Sequence, residues 1–434
     1  MATWKDEKGY DVGYGFHAIF KNYKRFIDLL KRAGVNKSKT FVSNKNKGYF
    51  YEEDTGKIHQ IGSFVDFTAS RYRFKNGYSP GENIKFAAFY AKNIKTMMHE
   101  EDIEKYDDIC YTAWAIENGL DEDLTKKRFF RFVKDALFNW PHEISAYIAF
   151  KSLRLLGGST KYYFVNGSYG EKLVKPVVDY YKKLGGKIEL HKKLTGIIHK
   201  NGHITGLRMG KPIPKPHGVN KWEKEIPVLP DSLEIIDGFD AVIVTIPVDN
   251  FMELNKDDTG FWKGFNGIEN LQTIVTMSWQ TWIKERVLPK LDACINGLDE
   301  PMGMIADYKD KIDEYKKDNS YGSVLRWVGQ ETGYENYSDQ ELKEIILSSF
   351  LKIPQTKDPK LAGMIYDVFV RNASNHERYL LTDPGTLKFR PFSVTGFDNL
   401  FLAGDWIRNE VDVPTMEGAV CSGYTAVEEL LKKL

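Results

Sequence analysis

The stretch Asn399-Leu-Phe-Leu-Ala-Gly-Asp405-Trp406, followed by Val413-Pro-Thr-Met-Glu-Gly-Ala-Val420, decides the fold. An apolar run closing on Gly404 and Asp405 reads as a fully buried strand whose carboxyl end opens into a crevice. Open α/β sheets bind ligands at such strand ends. Downstream, Met416, Ala419, Val420, Val427, Leu430 and Leu431 fall on one face of a helix, with Pro414 in its first turn. A carboxylate at a strand end is thus followed, after a loop, by the positive end of a helix. That pair suits a ligand with hydroxyls for Asp405 and an electron-rich ring for the helix start, where Gly418 permits close backbone approach.

Leu400-Phe-Leu-Ala-Gly-Asp-Trp406 with Met416-Glu-Gly-Ala-Val420 resembles the C-terminal flavin-binding signature of the FAD-dependent amine oxidase and phytoene (carotenoid) desaturase superfamily. The Trp after Gly-Asp and the form Pro-Thr-Met-Glu-Gly-Ala-Val lean towards the desaturase branch, over about twenty residues. The resemblance implies FAD as cofactor, with Gly404, Asp405, Thr415, Met416, Gly418 and Ala419 at the flavin and the main chain of Leu194 behind the adenine. It also implies the reaction: a hydride leaves an unactivated carbon for the flavin, a proton is lost nearby, and a double bond forms in a long, apolar, isoprenoid-like substrate. Residues 10–23 resemble the Gly-rich, His-containing stretch that follows the dinucleotide-binding half in the desaturase branch. The first βαβ unit of that half carries Gly-x-Gly-x-x-Gly, and these 434 residues contain no such motif. The nearest approach, Gly13-Tyr-Gly15, runs on into Phe16-His-Ala18 without the third glycine.

Composition narrows the alternatives. Lys and Arg number 61 against 60 Asp and Glu, so no net field points to nucleic acid as a partner. Aromatic residues make up 14%, which suits deep apolar pockets. The three cysteines, Cys110, Cys294 and Cys421, have no metal-ligand spacing and suggest a reducing compartment. His17, His59, His99 and His142 lack metal spacing as well, and no metal is expected. No apolar run reaches membrane-spanning length, and the first residues do not form a signal peptide. A cytoplasmic location is expected, with peripheral contact to a membrane as an option.

Along the chain, residues 1–12 read as a hairpin, and Gly13-Tyr-Gly-Phe-His17 runs into a basic amphipathic helix with Phe16, Ile19, Phe20, Tyr23, Phe26, Ile27 and Leu30 inward. Short strands at Thr40–Val42, Gly48–Tyr51 and Ser63–Phe67 precede helices over 84–112 and 126–156, the latter broken near Pro141. Tyr162–Val165 is a strand, Ser168 caps a helix with Leu173, Val174, Val177, Val178, Tyr181 and Leu184 inward, and Gly185-Gly186 stops it. Lys187-Ile-Glu-Leu190 starts a strand, and Asn201-Gly202 turns a hairpin. Lys211–Pro230, with five prolines, is an exposed loop, and 239–247 is a buried parallel strand.

With the resemblance, this pattern gives an α/β plus α+β fold: a discontinuous, Rossmann-like FAD-binding domain of the glutathione-reductase type, with an inserted substrate domain of mixed sheet and helices. The expected pieces are 1–40, 156–250 and 361–434 for the FAD domain, and 41–155 and 251–360 for the substrate domain. No nucleophile–base pair or phosphate loop stands out. Arg408, Glu410, Asp412 and Glu417 lie nearest the flavin signature and read as surface or capping charges, so none is assigned as catalytic. The competing readings are an amine oxidase or another isoprenoid-modifying flavoenzyme and, from a different class, a truncated, non-catalytic relative that binds a lipid or a partner.

Overall fold

The computed structural model describes residues 3–5, 9–13, 17–45, 47–52, 56–61, 79–125, 134, 137–140, 142–156, 161–213, 227–298, 300–371 and 378–433. In chain order the strands are β1 (Thr3–Lys5), β2 (Asp11–Gly13), β3 (Ile19–Phe20), β4 (Phe41–Ser43), β5 (Gly48–Glu52), β6 (Lys57–Ile61), β7 (Tyr162–Val165), β8 (Lys193–Lys200), β9 (His203–Gly210), β10 (Glu234–Ile236), β11 (Val242–Val244), β12 (Thr273–Ile283), β13 (Ile295–Asn296), β14 (Met302–Asp307), β15 (Ser323–Gln330), β16 (Met364–Arg371), β17 (Arg378–Leu380) and β18 (Leu400–Leu402). The longer helices are α1 (Lys24–Arg32), α2 (Pro80–His99), α3 (Ala146–Leu156), α4 (Lys175–Lys183), α5 (Asp339–Leu351) and α6 (Met416–Leu431).

Two of these helices start on capping boxes, Ser79 with Glu82 for α2 and Ser338 with Glu341 for α5. Each box satisfies two amides that the first turn leaves free. The β8–β9 hairpin turns on Asn201 and Gly202, both at positive φ (51° and 78°), the geometry that matches the twist of paired strands.

An eight-stranded mixed sheet runs β16-β12-β15-β14-β13-β5-β6, with β17 also on β12. Trp279 and Trp327 stand opposite each other on one face, and Phe350 of α5 packs edge-on against Trp327 at 4.8 Å. The other face carries Gln280, Arg326 and Ala306 side by side. A three-stranded sheet, β3-β7-β4, packs against that second face through Phe164 and Tyr308, 5.6 Å apart. Strands β11 and β18 pair in parallel, beside the hairpin sheet β10-β9-β8. Asn399 joins these two sheets: its Oδ1 accepts from the Ile204 amide at 2.8 Å and its Nδ2 donates to the Ile204 carbonyl at 3.0 Å.

Several sequence expectations change here. The basic helix is confined to Lys24–Arg32, because Ile19 and Phe20 are drawn into β3 by pairing with Tyr163 and Tyr162. The helix expected over 84–112 ends at His99, and a new one starts at Tyr111. Lys187-Ile-Glu-Leu190 forms no strand, and Leu190 is 74% exposed. Of the residues expected inward on the helix before it, Leu173 is buried, whereas Val174, Tyr181 and Leu184 are exposed. A π-turn over Gly170–Val174 shifts the helical phase just ahead of Pro176. The buried strand expected over 239–247 narrows to Val242–Val244. Residues 366–370, expected to open the last FAD-domain piece, lie in β16 at the end of the large sheet, and β17 (Arg378–Leu380) still pairs with β12 of that sheet. Ser63–Phe67, Tyr14–Phe16, Pro141 and residues 214–226 of the proline-rich loop fall outside the described residues.

Candidate functional site

Strand β18 is wholly buried at Leu400, Phe401 and Leu402, and it delivers Gly404 and Asp405 at its carboxyl end. Gly404 has a φ of 148°, and a Cβ there would meet Trp406 Nε1 at 2.9 Å. The indole lies across it because Trp406 Nε1 donates to the Ile246 carbonyl at 3.0 Å, tying this loop to the end of the neighbouring parallel strand. Asp405 is half-buried, and no side chain among the described residues donates to its carboxylate. Burial pushes its carboxyl above the usual carboxylate range, with the nearby Arg390 guanidinium pulling the other way.

Arg390 organises the loop that follows. Its Nε donates to the Trp406 carbonyl (3.1 Å), its Nη1 to that of Asp412 (2.6 Å), and its Nη2 to those of Asp405 (3.0 Å) and Ile407 (3.3 Å). Asp412, buried and at a φ of 56°, accepts from the Tyr147 hydroxyl at 2.6 Å and from the Asn409 amide at 2.7 Å. One guanidinium and one carboxylate thereby shape residues 405–412, and neither is free for chemistry.

Helix α6 begins two residues later than the sequence suggests. Thr415 is its N-cap, accepting from the Gly418 amide at 3.1 Å, so Pro414 precedes the cap and lies outside the first turn. Met416 and Glu417 are then the first helical residues, whose amides point out of the helix start without intrahelical acceptors. Tyr379 donates to the Pro414 carbonyl at 2.7 Å; its phenol is held well above its usual range by burial and by the neighbouring Asp405. Tyr23 lies beside Thr415, its phenol likewise raised by burial.

The apolar face expected for this helix is only partly the one it buries: Met416, Val420 and Leu430 are half-buried against neighbouring cores. Val427 and Leu431 are 44% and 64% exposed, while Glu417, Gly418, Cys421, Ser422 and Ala426 are buried. Small residues face inward because the helix runs close to β18: Ser422 Oγ accepts from the Gly404 amide at 2.8 Å. The close approach at Gly418 is that of the chain itself, since a Cβ there would lie 2.5 Å from the Val413 carbonyl oxygen. Glu417 caps a different helix: its two carboxylate oxygens accept from the amides of Arg25 and Phe26, each at 2.8 Å, at the start of α1.

Gly404, Asp405, Thr415, Met416, Gly418 and Ala419 are therefore brought together at one strand end and one helix start. Leu194 is apart from them, in β8 opposite Met209, at the edge of the core formed by Val244, Leu400 and Leu402. The sequence reading missed Arg390, Tyr379, Tyr23 and Ser422. An Arg-Pro pair fifteen residues before Asp405 was visible, but nothing local says that its guanidinium closes a loop. Of the charges named near the signature, Arg408 pairs with Glu104, and Glu410 is exposed beside Arg25.

A carboxylate that takes backbone amides but no described side-chain donor, a buried phenol and the positive end of a helix fit the ring-and-polyol part of a flavin. The sequence profile of the flavin containing amine oxidoreductase family matches residues 1–431, and the chain belongs to that family. Its cofactor is FAD, and its fold is a Rossmann-like FAD domain joined to a substrate domain. It is 22% identical over 454 residues to 15-cis-phytoene desaturase of Synechococcus elongatus, spanning 100% of this chain and 88% of that enzyme. It is 21% identical over 474 residues to a probable zeta-carotene desaturase of the same organism, spanning 100% and 91%. Among solved structures it resembles a double mutant of putrescine oxidase (TM-score 0.65, 11% identity, 99% of this chain and 90% of that one). An oxidoreductase from Methanosarcina mazei is similar too (TM-score 0.66, 14% identity, 93% and 85%).

Proposed function

We propose that this chain is an FAD-dependent desaturase acting on a long, apolar isoprenoid. Full-length similarity to two carotenoid desaturases supports the substrate class. The single structural observation that carries the cofactor role is the Asp405 carboxylate at the end of β18, beside the start of α6, which takes backbone amides of its own residue and Trp406 but no side-chain donor among the described residues. In this reading Asp405 accepts hydrogen bonds from the polyol, and Thr415, Met416, Gly418 and Ala419 present the helix start to the ring. Gly404 keeps the strand end open, and Leu194 backs the adenine. FAD, when bound, supplies the hydride acceptor. The chain's own contribution is orientation and exclusion of water, through Tyr379 and Tyr23 packed around the helix start. Residues 1–43, 161–250 and 381–434 form the FAD-binding part in this proposal, and the remainder forms the substrate part.

Among the described residues no helix is long and apolar enough to cross a membrane. We place the enzyme at a membrane surface, because a polyene is dissolved in the bilayer; sedimentation with liposomes tests this. The decisive experiment is a visible spectrum of the purified chain before and after adding FAD and removing the excess, then anaerobic addition of substrate. The expected result is a retained oxidised-flavin spectrum that bleaches with a lipid-dispersed polyene and not with a primary amine. Bleaching by the amine alone would make it an amine oxidase. Absence of retained flavin would favour a non-catalytic relative.

A further inference from the structure

Three arginines are buried to 4% exposure or less among the described residues: Arg326, Arg371 and Arg390. Two are saturated. Arg371 pairs with Glu331 and donates to the carbonyls of Tyr334, Glu335 and Tyr337. Arg390 takes four carbonyls and lies 3.9 Å from the Asp412 carboxylate. Arg326 is different. Its Nε donates to Gln280 Oε1 at 2.9 Å, its guanidinium also bonds the Tyr315 hydroxyl and lies 4.4 Å from the Tyr308 ring centroid, and its Nη1 has no hydrogen-bond partner among the described residues. No described carboxylate lies within ion-pair range of it. A guanidinium stays charged in any protein, and a buried charge without a counter-ion is costly unless something completes it.

Its position indicates what that is. Arg326 stands on the face of the large sheet opposite to Trp327 and α5, beside Ala306 and Gln280. Val328, two residues along β15, shares that face, and with its partner Met304 it lines a small cavity closed by Lys134 and Phe138. Phe138 meets Tyr379 edge-on at 5.3 Å, and Tyr379 donates to Pro414 at the start of α6. Contacts therefore run from the start of α6 through Tyr379 and Phe138 to Val328, two residues along β15 from Arg326 on the same face.

We infer that Arg326 is a head-group site for the substrate, and that this substrate is an isoprenoid ending in a carboxylate rather than a pure hydrocarbon. The inference rests on the isoprenoid reading above and narrows it. A planar guanidinium with an open edge matches a carboxylate in shape and charge. A phosphate, with nearly two charges, would call for a second cation. Lys309 and Lys311, on the loop after β14, commit their ammonium groups to carbonyls of Tyr315, Asp318, Leu291 and Asp307. Anchoring the head at Arg326 would also fix which carbons of the chain reach the flavin.

The test measures binding to the full chain, with FAD added, by quenching of tryptophan fluorescence. The probes are geranylgeranoic acid, geranylgeraniol and the matching C20 hydrocarbon, each detergent-dispersed. The wild type should bind the acid at least about ten-fold more tightly than the other two, in keeping with a charged hydrogen bond. Arg326→Gln should erase that preference while hydrocarbon binding persists, and Arg326→Lys should keep part of it. Equal binding of acid and hydrocarbon by the wild type, or an acid preference surviving in Arg326→Gln, overturns the assignment and leaves the isoprenoid reading standing. Binding of none of the three overturns both. The wild-type comparison decides by itself should Arg326→Gln not fold.

Discussion

The amide of Gly404 donates to the hydroxyl of Ser422 at 2.8 Å, which joins the last strand to the last helix at the point where both face the site. The same hydroxyl donates to the Ala419 carbonyl at 2.8 Å, so its orientation is fixed. Ser422→Ala leaves the Gly404 amide without an acceptor and should cost about 1–2 kcal/mol. Urea denaturation of the flavin-free chain measures this, and an unchanged midpoint would remove the link from the account.

Asp405 carries opposite roles for stability and for cofactor retention. Its folded value lies above the ordinary carboxylate range because burial disfavours the charge. The folded state therefore holds the proton more tightly than the unfolded state. Its favourable contribution is present below the ordinary carboxylate range and is lost as pH rises through the raised value. Asp405→Asn should consequently raise the melting temperature of the flavin-free chain at neutral pH, and the gain should shrink in acid. The same substitution should weaken flavin retention roughly 10- to 100-fold, as expected for loss of a charged acceptor. A pH-independent gain, or undiminished flavin content, would contradict one half or the other. Glu300 looks like a suitable surface control in the sequence, but it ion-pairs with the buried Lys134 at 3.0 Å and accepts from Gln330 at 2.8 Å. Glu101, which is exposed, serves instead.

Two glycines of α6 make a matched pair. A Cβ at Gly418 would lie 2.5 Å from a backbone oxygen, whereas one at Gly423 would meet nothing within 4 Å. Gly418→Ala should destabilise by about 1–3 kcal/mol through overpacking. Gly423→Ala should stabilise by about 0.5–1 kcal/mol through helix propensity. Thermal melts of both variants should move in opposite directions; movement in the same direction would refute the packing argument.

Arg390→Lys replaces five donors in a fixed fork with three on a flexible stem. Four buried carbonyls and Asp412 cannot all be reached, and a loss of about 3–5 kcal/mol is expected. Flavin retention should fall with it, because the loop after Asp405 loses its shape. Soluble protein with wild-type stability would show that the loop is held by other contacts.

How much of this was legible depends on the range of the interaction that decides each feature. The strand end at Asp405, the Asn201-Gly202 turn and the stop at Gly185 follow from local residue chemistry, and the sequence carries them directly. The face that α6 buries most deeply does not, because its apolar residues mark a face of which Met416 and Val420 are half-buried and Val427 and Leu431 are exposed. Close packing on β18 instead selects Gly418, Cys421, Ser422 and Ala426, a choice made by a neighbour rather than by periodicity. Lys187–Leu190 reads as a strand by composition, yet a strand needs a partner, and the described residues offer it none. Arg390 and Arg326 look like ordinary basic residues until their surroundings are known, since burial and missing counter-ions are properties of the fold.

The contact between Glu417 and the first amides of α1 has a consequence for synthesis. The carboxylate that completes the helix at residues 25 and 26 is made about 390 residues after them. At roughly 5–20 residues per second, that delay is on the order of 20–80 s. Through that interval α1 lacks its cap, and part of the surface that will meet α6 stands open to water and to other chains. The nascent protein is therefore exposed to misassociation and to chaperones around α1 until α6 has been made.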